Sequence, residues 1–364
     1  MKILHCADLH LDSKLSSNFD SKEAKTRRNE ILNTFERMVD YAVKSDIDVI
    51  LVAGDLFDTQ KISALTKNTV LKTIDSNKDI SFYYLKGNHD QDNFLTGLSS
   101  VPENLYLFED EWKRFDIGNI SIYGLELNDA NSKMAYVSLQ PMKDKFNIVM
   151  LHGQEALTDA KDKTEVINLK ALKGKNIDYL ALGHIHSQKV EKLDERGLYC
   201  YSGCLEGRGF DECGDCGFAV INIDETTHQF THEFVDIAYR HMHHLKVDVS
   251  SCINSHEMIE AIDNKISLTN IDEKDLVRIE LIGSIDVAAE KDTDFIKEHY
   301  KREFYYVQIK DSTSLFVDEM EYIHDESLKG EFIRLVMADD SISKEDRAAI
   351  VRYGIMVLSG EEVI

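Results

Sequence analysis

Proline is almost absent from this 364-residue sequence, which contains only Pro102 and Pro141. It also lacks an internal repeat and any long stretch rich in serine, glycine and proline, the composition of a flexible linker. No segment approaches the roughly 20 apolar residues of a membrane-spanning helix, and His5 and Asp8 come too early for a signal peptide. We therefore expect a folded cytoplasmic protein with no membrane segment.

Cysteine is sparse as well, and six residues without a secretory signal indicate reduced thiols rather than a disulfide framework. Four of them lie in "YCYSGCLEGRGFDECGDCG": Cys200, Cys204, Cys213 and Cys216. Their spacing is near that of a structural zinc knuckle. The three-residue separation of the first pair favours buried or loop thiols, and zinc stays an alternative.

Positive charge is scarce: 42 Lys and Arg face 66 Asp and Glu, for a net charge of −24. Such a field repels polyanions, so the isolated chain should not coat nucleic acid nonspecifically. Action on nucleic acid would need cations at the site or a basic partner.

Apolar runs alternate with amphipathic segments over the first two thirds of the chain, which predicts an α/β domain. Helices are expected near 23–44 and 62–75. Strands are expected at "KILHCAD" (2–8), "DIDVILVAGD" (46–55), "SFYYLKG" (81–87), "NISIYGLEL" (119–127), "FNIVMLHG" (146–153) and "IDYLALGHIH" (177–186).

Three further strand-like runs, "LYCYSG", "GFAVINID" and "QFTHEFVDI", predict a mainly antiparallel second sheet that completes this domain near residue 240. A histidine cluster at 241–244 is expected to be solvated linker. A β-α-β-α-β unit and a helical segment follow. The predicted domains are therefore 1–240, 241–311 and 312–364.

Residue types that commonly bind metal ions follow most of the predicted strands of the first domain. Because the carboxyl ends of parallel strands meet in one crevice, we expect these side chains to lie together. They are Asp8, His10, Asp55, Asn88, His89, His152, His184 and His186. A single histidine in a strand is more often packed than metal-bound, but five such strand ends in succession favour a common site.

Seven of these eight residues, namely two aspartates, one asparagine and four of the five histidines, would provide a mixture of oxygen and nitrogen donors. They suit a pair of manganese, iron or zinc ions, and we expect manganese. If Asp55 is shared, each ion receives four protein ligands and keeps positions for water and substrate, as in a two-metal hydrolase. Asp90 adjoins the site and is expected to orient one of its histidines.

The motifs "DLH", "GD", "GNHD", "HG" and "GHIH" resemble, in order, those of the calcineurin-like metallophosphoesterases. The resemblance covers about residues 1–210, and "HCADLHLD", "GDLFD" and "GNHD" are similar to the SbcD and YhaO group of bacterial DNA repair exonucleases. It implies a four-layer α/β/β/α sandwich, a small α+β capping domain and C-terminal helices that dock on an SMC-like ATPase.

The resemblance also implies a role for each motif residue. Asp8, His10, Asp55 and His186 would hold one ion, and Asp55, Asn88, His152 and His184 the other. His89 matches the histidine that is not a ligand and would protonate the leaving oxygen.

The resemblance therefore implies a metal-dependent DNA exonuclease that works with its ATPase partner. Because cations are scarce, we expect weak DNA binding by the chain alone and a homodimer. Cations near the motifs are candidates for contact with phosphate: Lys14, Arg27, Arg28, Lys86 and Arg208. A small-substrate phosphodiesterase or phosphatase with the same metals is the main alternative, and a noncatalytic scaffold is a weaker one.

Overall fold

The computed structural model describes residues 1–15, 19–58, 62–90, 95, 101–156, 166–287, 289–317 and 324–358. The chain divides into two units, Met1–His241 and Met242–Ile364. The predicted boundary at 311–312, which would divide the second unit, stays a proposal. No helix in these described ranges is both long and apolar enough to cross a membrane.

The first unit alternates strands with helices as its sequence predicts. Its elements are β1 (Lys2–Cys6), α1 (Ser21–Lys44), β2 (Val49–Ala53), α2 (Ala64–Ser76), β3 (Ser81–Leu85), β4 (Leu105–Leu107), β5 (Lys113–Ile117), β6 (Ile120–Gly124), α3 (Ser132–Ser138), β7 (Phe146–His152), β8 (Gln154–Ala156), β9 (Val166–Asn168), α4 (Leu169–Leu172), β10 (Tyr179–Gly183), β11 (Lys189–Lys192), β12 (Leu198–Tyr201), β13 (Gly217–Ile223) and β14 (Phe230–Asp236).

Local sequence explains where helix α1 begins and why strand β2 is buried. Asp20 and Glu23 form a capping box that begins α1. All five residues of β2 are buried, as expected for a strand covered on both faces.

Two six-stranded sheets face each other in this unit. The first has the order β14-β13-β1-β2-β3-β4 and the second β11-β12-β10-β7-β6-β5. A continuous apolar core between them includes Val49 and Leu51 of the first sheet and Ile148 and Met150 of the second. Helices α3 and α4 cover the outer face of the second sheet, and α1 contacts the first through Tyr41 and Phe218. The unit is therefore an α/β/β/α sandwich, which confirms the predicted fold class.

The prediction of a separate antiparallel second sheet was wrong. Strand β12 is parallel to β10 in the second sheet, whereas β13 and β14 extend the first sheet antiparallel to β1. Periodicity along a strand reports which faces are buried but not which neighbour the strand joins. The carboxyl ends of β1, β2 and β3 in one sheet and of β7 and β10 in the other carry the predicted site.

The second unit contains β15 (Met242–Asp248), α5 (Ser255–Ile266), β16 (Leu276–Asp286), α6 (Thr293–Tyr300), β17 (Tyr306–Phe316), α7 (Leu328–Met337) and α8 (Lys344–Leu358). The strands form a parallel sheet in the order β15-β16-β17, in agreement with the predicted β-α-β-α-β order. His243 and His244 lie within β15 beside Asp275 and Glu280, so their prediction as solvated linker was wrong.

Candidate metal centre

The loops after β1 and β2 run side by side and carry three of the predicted ligands. The backbone N–H of Asp8 donates to Gly54 O at 3.1 Å, and that of His10 donates to Asp55 O at 2.9 Å. Asp8, His10 and Asp55 have φ values of 53°, 45° and 52°. Side chains other than glycine rarely adopt this left-handed region, and such strain concentrates at functional sites.

The donor atoms of the predicted ligands converge from both sheets. Those of Asp8, His10 and His186 lie within 4.8 Å of one another, and so do those of Asp8, Asp55 and His152. The Nε2 atoms of His10 and His186 face each other at 3.2 Å. Four segments that are distant in sequence, at the ends of β1, β2, β7 and β10, thus present their donor atoms to one small volume.

Asn88 and His184 join the same cluster. Asn88 Oδ1 lies 3.0 Å from His152 Nε2 and 3.4 Å from His184 Nδ1. Asp55 Oδ2 lies 3.6 Å from His10 Nε2 and 3.3 Å from His152 Nε2, between the two groups of donors. The structure therefore brings all seven predicted ligands together.

The electrostatics of the cluster suit divalent cations. Burial raises the pKa of Asp8 to about 6, because it outweighs the opposing effect of the nearby His152 and His186 and is reinforced by the charge of Asp55. Burial also disfavours the charge of Asp55, but the hydrogen bond and charge of His152 outweigh it and hold the pKa of Asp55 well below its usual range. Burial alone would lower the pKa of His152, but the hydrogen bond and charge of Asp55 outweigh burial and raise this pKa to about 9. Positive charge is thus favoured where the two buried carboxylates and the imidazoles meet, so these residues fit a pair of metal ions.

Hydrogen bonds to Nδ1 fix three of the imidazole rings with Nε2 toward the cluster. Such outer contacts set the tautomer and orientation of metal-binding histidines. The contacts are His10 Nδ1 to Asp58 Oδ1 at 3.0 Å, His186 Nδ1 to Glu212 Oε1 at 2.7 Å, and His152 Nδ1 to Ala53 O at 2.9 Å.

Asp58 and Glu212 are functional residues that the sequence analysis missed. Burial disfavours the charge of both carboxylates, but hydrogen bonds outweigh it and lower each pKa to about 2. Asp58 ends the "GDLFD" motif, three residues after Asp55, so its position offered a signal. Glu212 lies in the cysteine-containing segment "YCYSGCLEGRGFDECGDCG", outside the predicted ligand motifs, and no local pattern identifies it as a partner of His186.

His89 lies at the edge of the cluster. Its ring is 4.8 Å from that of His10 between centroids, and its Nδ1 is 3.1 Å from Asp58 Oδ1. Its backbone N–H donates to Asp55 Oδ1 at 2.9 Å, and 46% of its side chain is exposed. An exposed imidazole held beside the donors is placed to exchange a proton with a bound molecule.

Asp90 contacts backbone rather than a histidine ring, unlike the expectation from sequence. Its carboxylate accepts hydrogen bonds from the N–H groups of Leu56, Phe57 and Gly87 at 2.8–3.1 Å. It therefore ties the loop that follows β2 to the loop that carries Asn88.

Most of the cations proposed for phosphate contact lie away from the donors. Lys14 is exposed and its carbonyl accepts a hydrogen bond from Arg28. Lys86 pairs with Glu126 at 3.6 Å. Arg27 is fully buried, so its prediction as a phosphate contact was wrong.

Buried ion pairs explain the position of Arg27, which lies 2.6 Å from Glu30 and 3.2 Å from Glu206. Arg208 is the one member of the predicted set that reaches the cluster in the described part of the chain, with Nη2 3.3 Å from His186 Nδ1.

The four clustered cysteines do not converge on one point. Cys204 and Cys216 are buried with their sulfur atoms 3.5 Å apart, whereas Cys213 is exposed and Cys200 contacts Tyr179. No group of three or more metal donors among the described residues includes a cysteine. The geometry favours buried and loop thiols over a zinc knuckle.

A glycine at the end of β2 allows the sheets to approach closely at the site. Gly54 has φ +98°, and a Cβ there would lie 2.1 Å from His152 Nδ1. We expect Gly54→Ala to displace His152, weaken manganese binding and destabilise the protein by about 1–3 kcal/mol through overpacking. Isothermal titration with Mn²⁺ and urea unfolding measure the two effects.

Gly214→Ala is the matched control, because Gly214 has φ +104° but open space around the new Cβ. The backbone strain is similar in both variants, so the difference isolates the overlap with His152. Equal losses in the two variants would contradict the steric explanation.

Residues 1–188 match the family described as calcineurin-like phosphoesterase. The chain belongs to this family. The family resemblance seen in the sequence is thereby confirmed, and a phosphoesterase uses the kind of donor cluster described above.

Curated relatives extend the similarity beyond that domain. The chain is 27% identical over 280 residues to "Uncharacterized metallophosphoesterase YhaO" of Bacillus subtilis, covering 73% of this chain and 68% of the relative. It is 26% identical over 395 residues to "DNA double-strand break repair protein Mre11" of Saccharolobus solfataricus, covering 100% and 97%. A dimetal phosphatase from Danio rerio is a more distant solved structure, with TM-score 0.40, 12% identity and coverage of 62% of this chain and 93% of that chain.

Proposed function

We propose that this phosphoesterase is a metal-dependent DNA nuclease that hydrolyses phosphodiester bonds, acting as an exonuclease in DNA repair or end processing in the cytoplasm. The observation that carries the proposal is the convergence of seven donor side chains beside the exposed imidazole of His89. No predicted ligand is missing, which argues against a noncatalytic scaffold.

The choice of DNA as substrate draws on the similarity to Mre11 of Saccharolobus solfataricus. That protein is named for DNA double-strand break repair, and its similarity spans the whole of this chain. The alignment therefore extends through the second unit, which a phosphatase domain alone would not need. YhaO, whose name specifies no substrate, leaves the small-substrate alternative in place.

Asp8, His10, Asp55 and His186 would hold one ion, and Asp55, Asn88, His152 and His184 the other, with manganese expected and iron or zinc as alternatives. Bound in this way, two divalent cations lower the pKa of water and neutralise the charge of a phosphate group. The protein supplies the geometry: Asp58, Glu212 and the Ala53 carbonyl fix the rings through Nδ1, and Asp90 fixes the loops.

His89 would donate a proton to the leaving 3′ oxygen. Its Nδ1 is held by Asp58, which leaves Nε2 as the atom that faces a bound substrate. Proton donation of this kind contributes typically about 10²–10⁴-fold to the rate.

The acidic chain needs help to hold DNA. With Arg27 buried and Lys86 paired, Lys14 and Arg28 remain as candidate contacts with the DNA backbone, and few such contacts give weak binding. We therefore propose that a homodimer and an SMC-like ATPase partner increase affinity. Helices α7 and α8 expose Leu328, Leu335, Tyr353 and Val357 by 54–73%, an apolar surface suited to docking this partner.

A small-substrate phosphodiesterase or phosphatase is the second candidate. It is favoured by the net charge of −24 and by the small cleft of about 440 Å³ beside His184 and His186. Such an enzyme would cleave a small diester rapidly and leave DNA intact.

Turnover on four substrates separates the two candidates. Blunt linear duplex, single-stranded DNA, a chromogenic phosphodiester and a chromogenic monoester are incubated with the protein, with Mn²⁺ compared with Mg²⁺ and with chelator. We expect manganese-dependent shortening of DNA from its ends. Rapid cleavage of small esters with intact DNA would favour the second candidate, and unchanged activity in chelator would contradict both.

A further inference from the structure

Arg208 lies beside the predicted metal ligands, with Nη2 3.3 Å from His186 Nδ1, yet most of its contacts are with carboxylates. Its Nη2 donates to Glu212 Oε1 at 2.7 Å, its Nε lies 3.2 Å from the same oxygen, and its backbone N–H donates to Glu212 Oε2 at 2.7 Å. Its Nη1 lies 3.4 Å from Asp58 Oδ1. Only 15% of the side chain is exposed. The Nε–Nη2 edge that would grip a phosphate in a bidentate fashion is therefore already occupied.

Each of these carboxylates in turn holds histidines of the site. Glu212 Oε1 accepts from His186 Nδ1 at 2.7 Å, so this oxygen serves Arg208 and His186 together. Asp58 Oδ1 accepts from His10 Nδ1 at 3.0 Å and lies 3.1 Å from His89 Nδ1. One guanidinium thus connects rings from the loops that follow β1, β3 and β10.

The charges in this network depend on Arg208. Asp58 and Glu212 carry two negative charges, and their side chains are 19% and 4% exposed. Removing the guanidinium would leave both carboxylates without their positive partner. An unpaired charge in a buried position is strongly destabilising, so we expect the two carboxylates to shift. The rings of His10 and His186 would then lose their fixed Nδ1 partners.

We propose that Arg208 is a positioning residue: through Asp58 and Glu212 it sets the orientation of His10, His186 and His89, rather than contacting the phosphate of the substrate. This inference rests on the proposed function, because it requires that His10 and His186 hold a metal ion. It replaces the expectation from sequence that Arg208 binds substrate.

The first test measures metal binding without substrate. Isothermal titration with Mn²⁺ compares wild type with Arg208→Gln and Arg208→Lys. Loss of the hydrogen-bond partners of metal ligands typically weakens metal affinity about 10- to 100-fold. We expect a loss of this size in Arg208→Gln, at one of the two Mn²⁺ sites. Arg208→Lys should also be weakened, because lysine keeps the charge but loses the planar fork.

Arg196→Gln is the matched control for removing a partly buried arginine–carboxylate pair. Arg196 binds Asp178 through two contacts of 2.9 Å, and neither residue contacts the donor cluster. Its manganese isotherm should equal that of wild type. Glu212→Gln keeps the test informative if Arg208→Gln does not fold, because it leaves Arg208 in place and should weaken the same site.

The second test separates positioning from phosphate contact. With a chromogenic phosphodiester at saturating Mn²⁺, positioning predicts that Arg208→Gln lowers kcat with little change in KM. Unchanged metal binding with a raised KM and wild-type kcat would overturn the inference and assign Arg208 to the substrate.

Failure of the inference is distinguishable from failure of the proposed function. Wild-type protein that binds no Mn²⁺ would remove the metal centre itself, and the inference with it. Wild type that binds two ions but cleaves only small esters would overturn the choice of DNA alone. Wild-type behaviour of both Arg208 variants would overturn only the inference.

Discussion

Asp55→Asn will lose both metal binding and turnover on every phosphoester substrate. Asp55 Oδ2 lies between the two donor groups, within 3.6 Å of His10 Nε2 and 3.3 Å of His152 Nε2. A neutral amide in its place removes the charge that the two proposed ions would share. We expect turnover to fall by at least about 10³-fold, since electrostatic stabilisation is usually the largest contribution to catalysis.

Asparagine is preferred to alanine here because Asp55 has φ 52°, a conformation that asparagine tolerates better than alanine. Asp55→Ala should lose metal and activity as well, with additional loss of stability. Manganese titration and steady-state kinetics measure both effects. Asp116→Asn is the control, because Asp116 is a partly exposed carboxylate in β5 that pairs with Lys145. Two tightly bound Mn²⁺ ions in Asp55→Asn would refute the shared carboxylate.

His89→Ala will retain metal and lose most of its turnover on DNA. The His89 side chain lies outside the two donor groups formed by the predicted ligands, so its removal leaves them in place. Loss of the proton donor should lower kcat on DNA by at least about 10²-fold. A chromogenic diester with a leaving group that departs without protonation should show a much smaller loss.

The test therefore compares the loss of kcat on DNA with the loss of kcat on the activated diester, both measured with metal-replete protein. His256→Ala, an exposed histidine of the second unit, is the control and should match wild type. Equal losses of kcat on DNA and on the activated diester would show that His89 acts in some way other than proton donation. Normal activity on DNA would remove it from the mechanism.

The sequence was sufficient to predict which side chains converge, because each lies at the end of an apolar strand that is easily recognised. Asp8, Asp55 and Asn88 come directly after such runs, and the parallel strands β1, β2 and β3 bring their carboxyl ends together at one edge of the first sheet. Strands β12 and β13 carry none of the predicted donors, so the wrong assignment of these two strands did not affect the prediction of the site.

Residues behind the donors could not be predicted in the same way. Glu212 belongs to a loop between β12 and β13, and nothing local marks it as the partner of His186. The burial of Arg27 depends on Glu30 and Glu206, and Glu206 is distant in sequence. Such contacts are set by tertiary packing, which charge patterns along the chain do not report.

Backbone conformation was equally hidden. His184 has φ 99° although no glycine marks the position. A non-glycine residue in this region costs on the order of 1–3 kcal/mol and persists only when its surroundings enforce it. Only the three-dimensional structure reveals this strain.

The donors come from two facing sheets, and this has a consequence for the stability of the sandwich. Asp8, His10, Asp55 and Asn88 follow strands of one sheet, whereas His152, His184 and His186 follow strands of the other. An ion held by both groups would act as a cross-link, so the sheets could not separate without releasing it. Each tenfold rise in free ion above the dissociation constant would then add about 1.4 kcal/mol per site against such opening. The concentration of free metal ion would thus determine how strongly the two sheets resist separation, as well as the activity of the site.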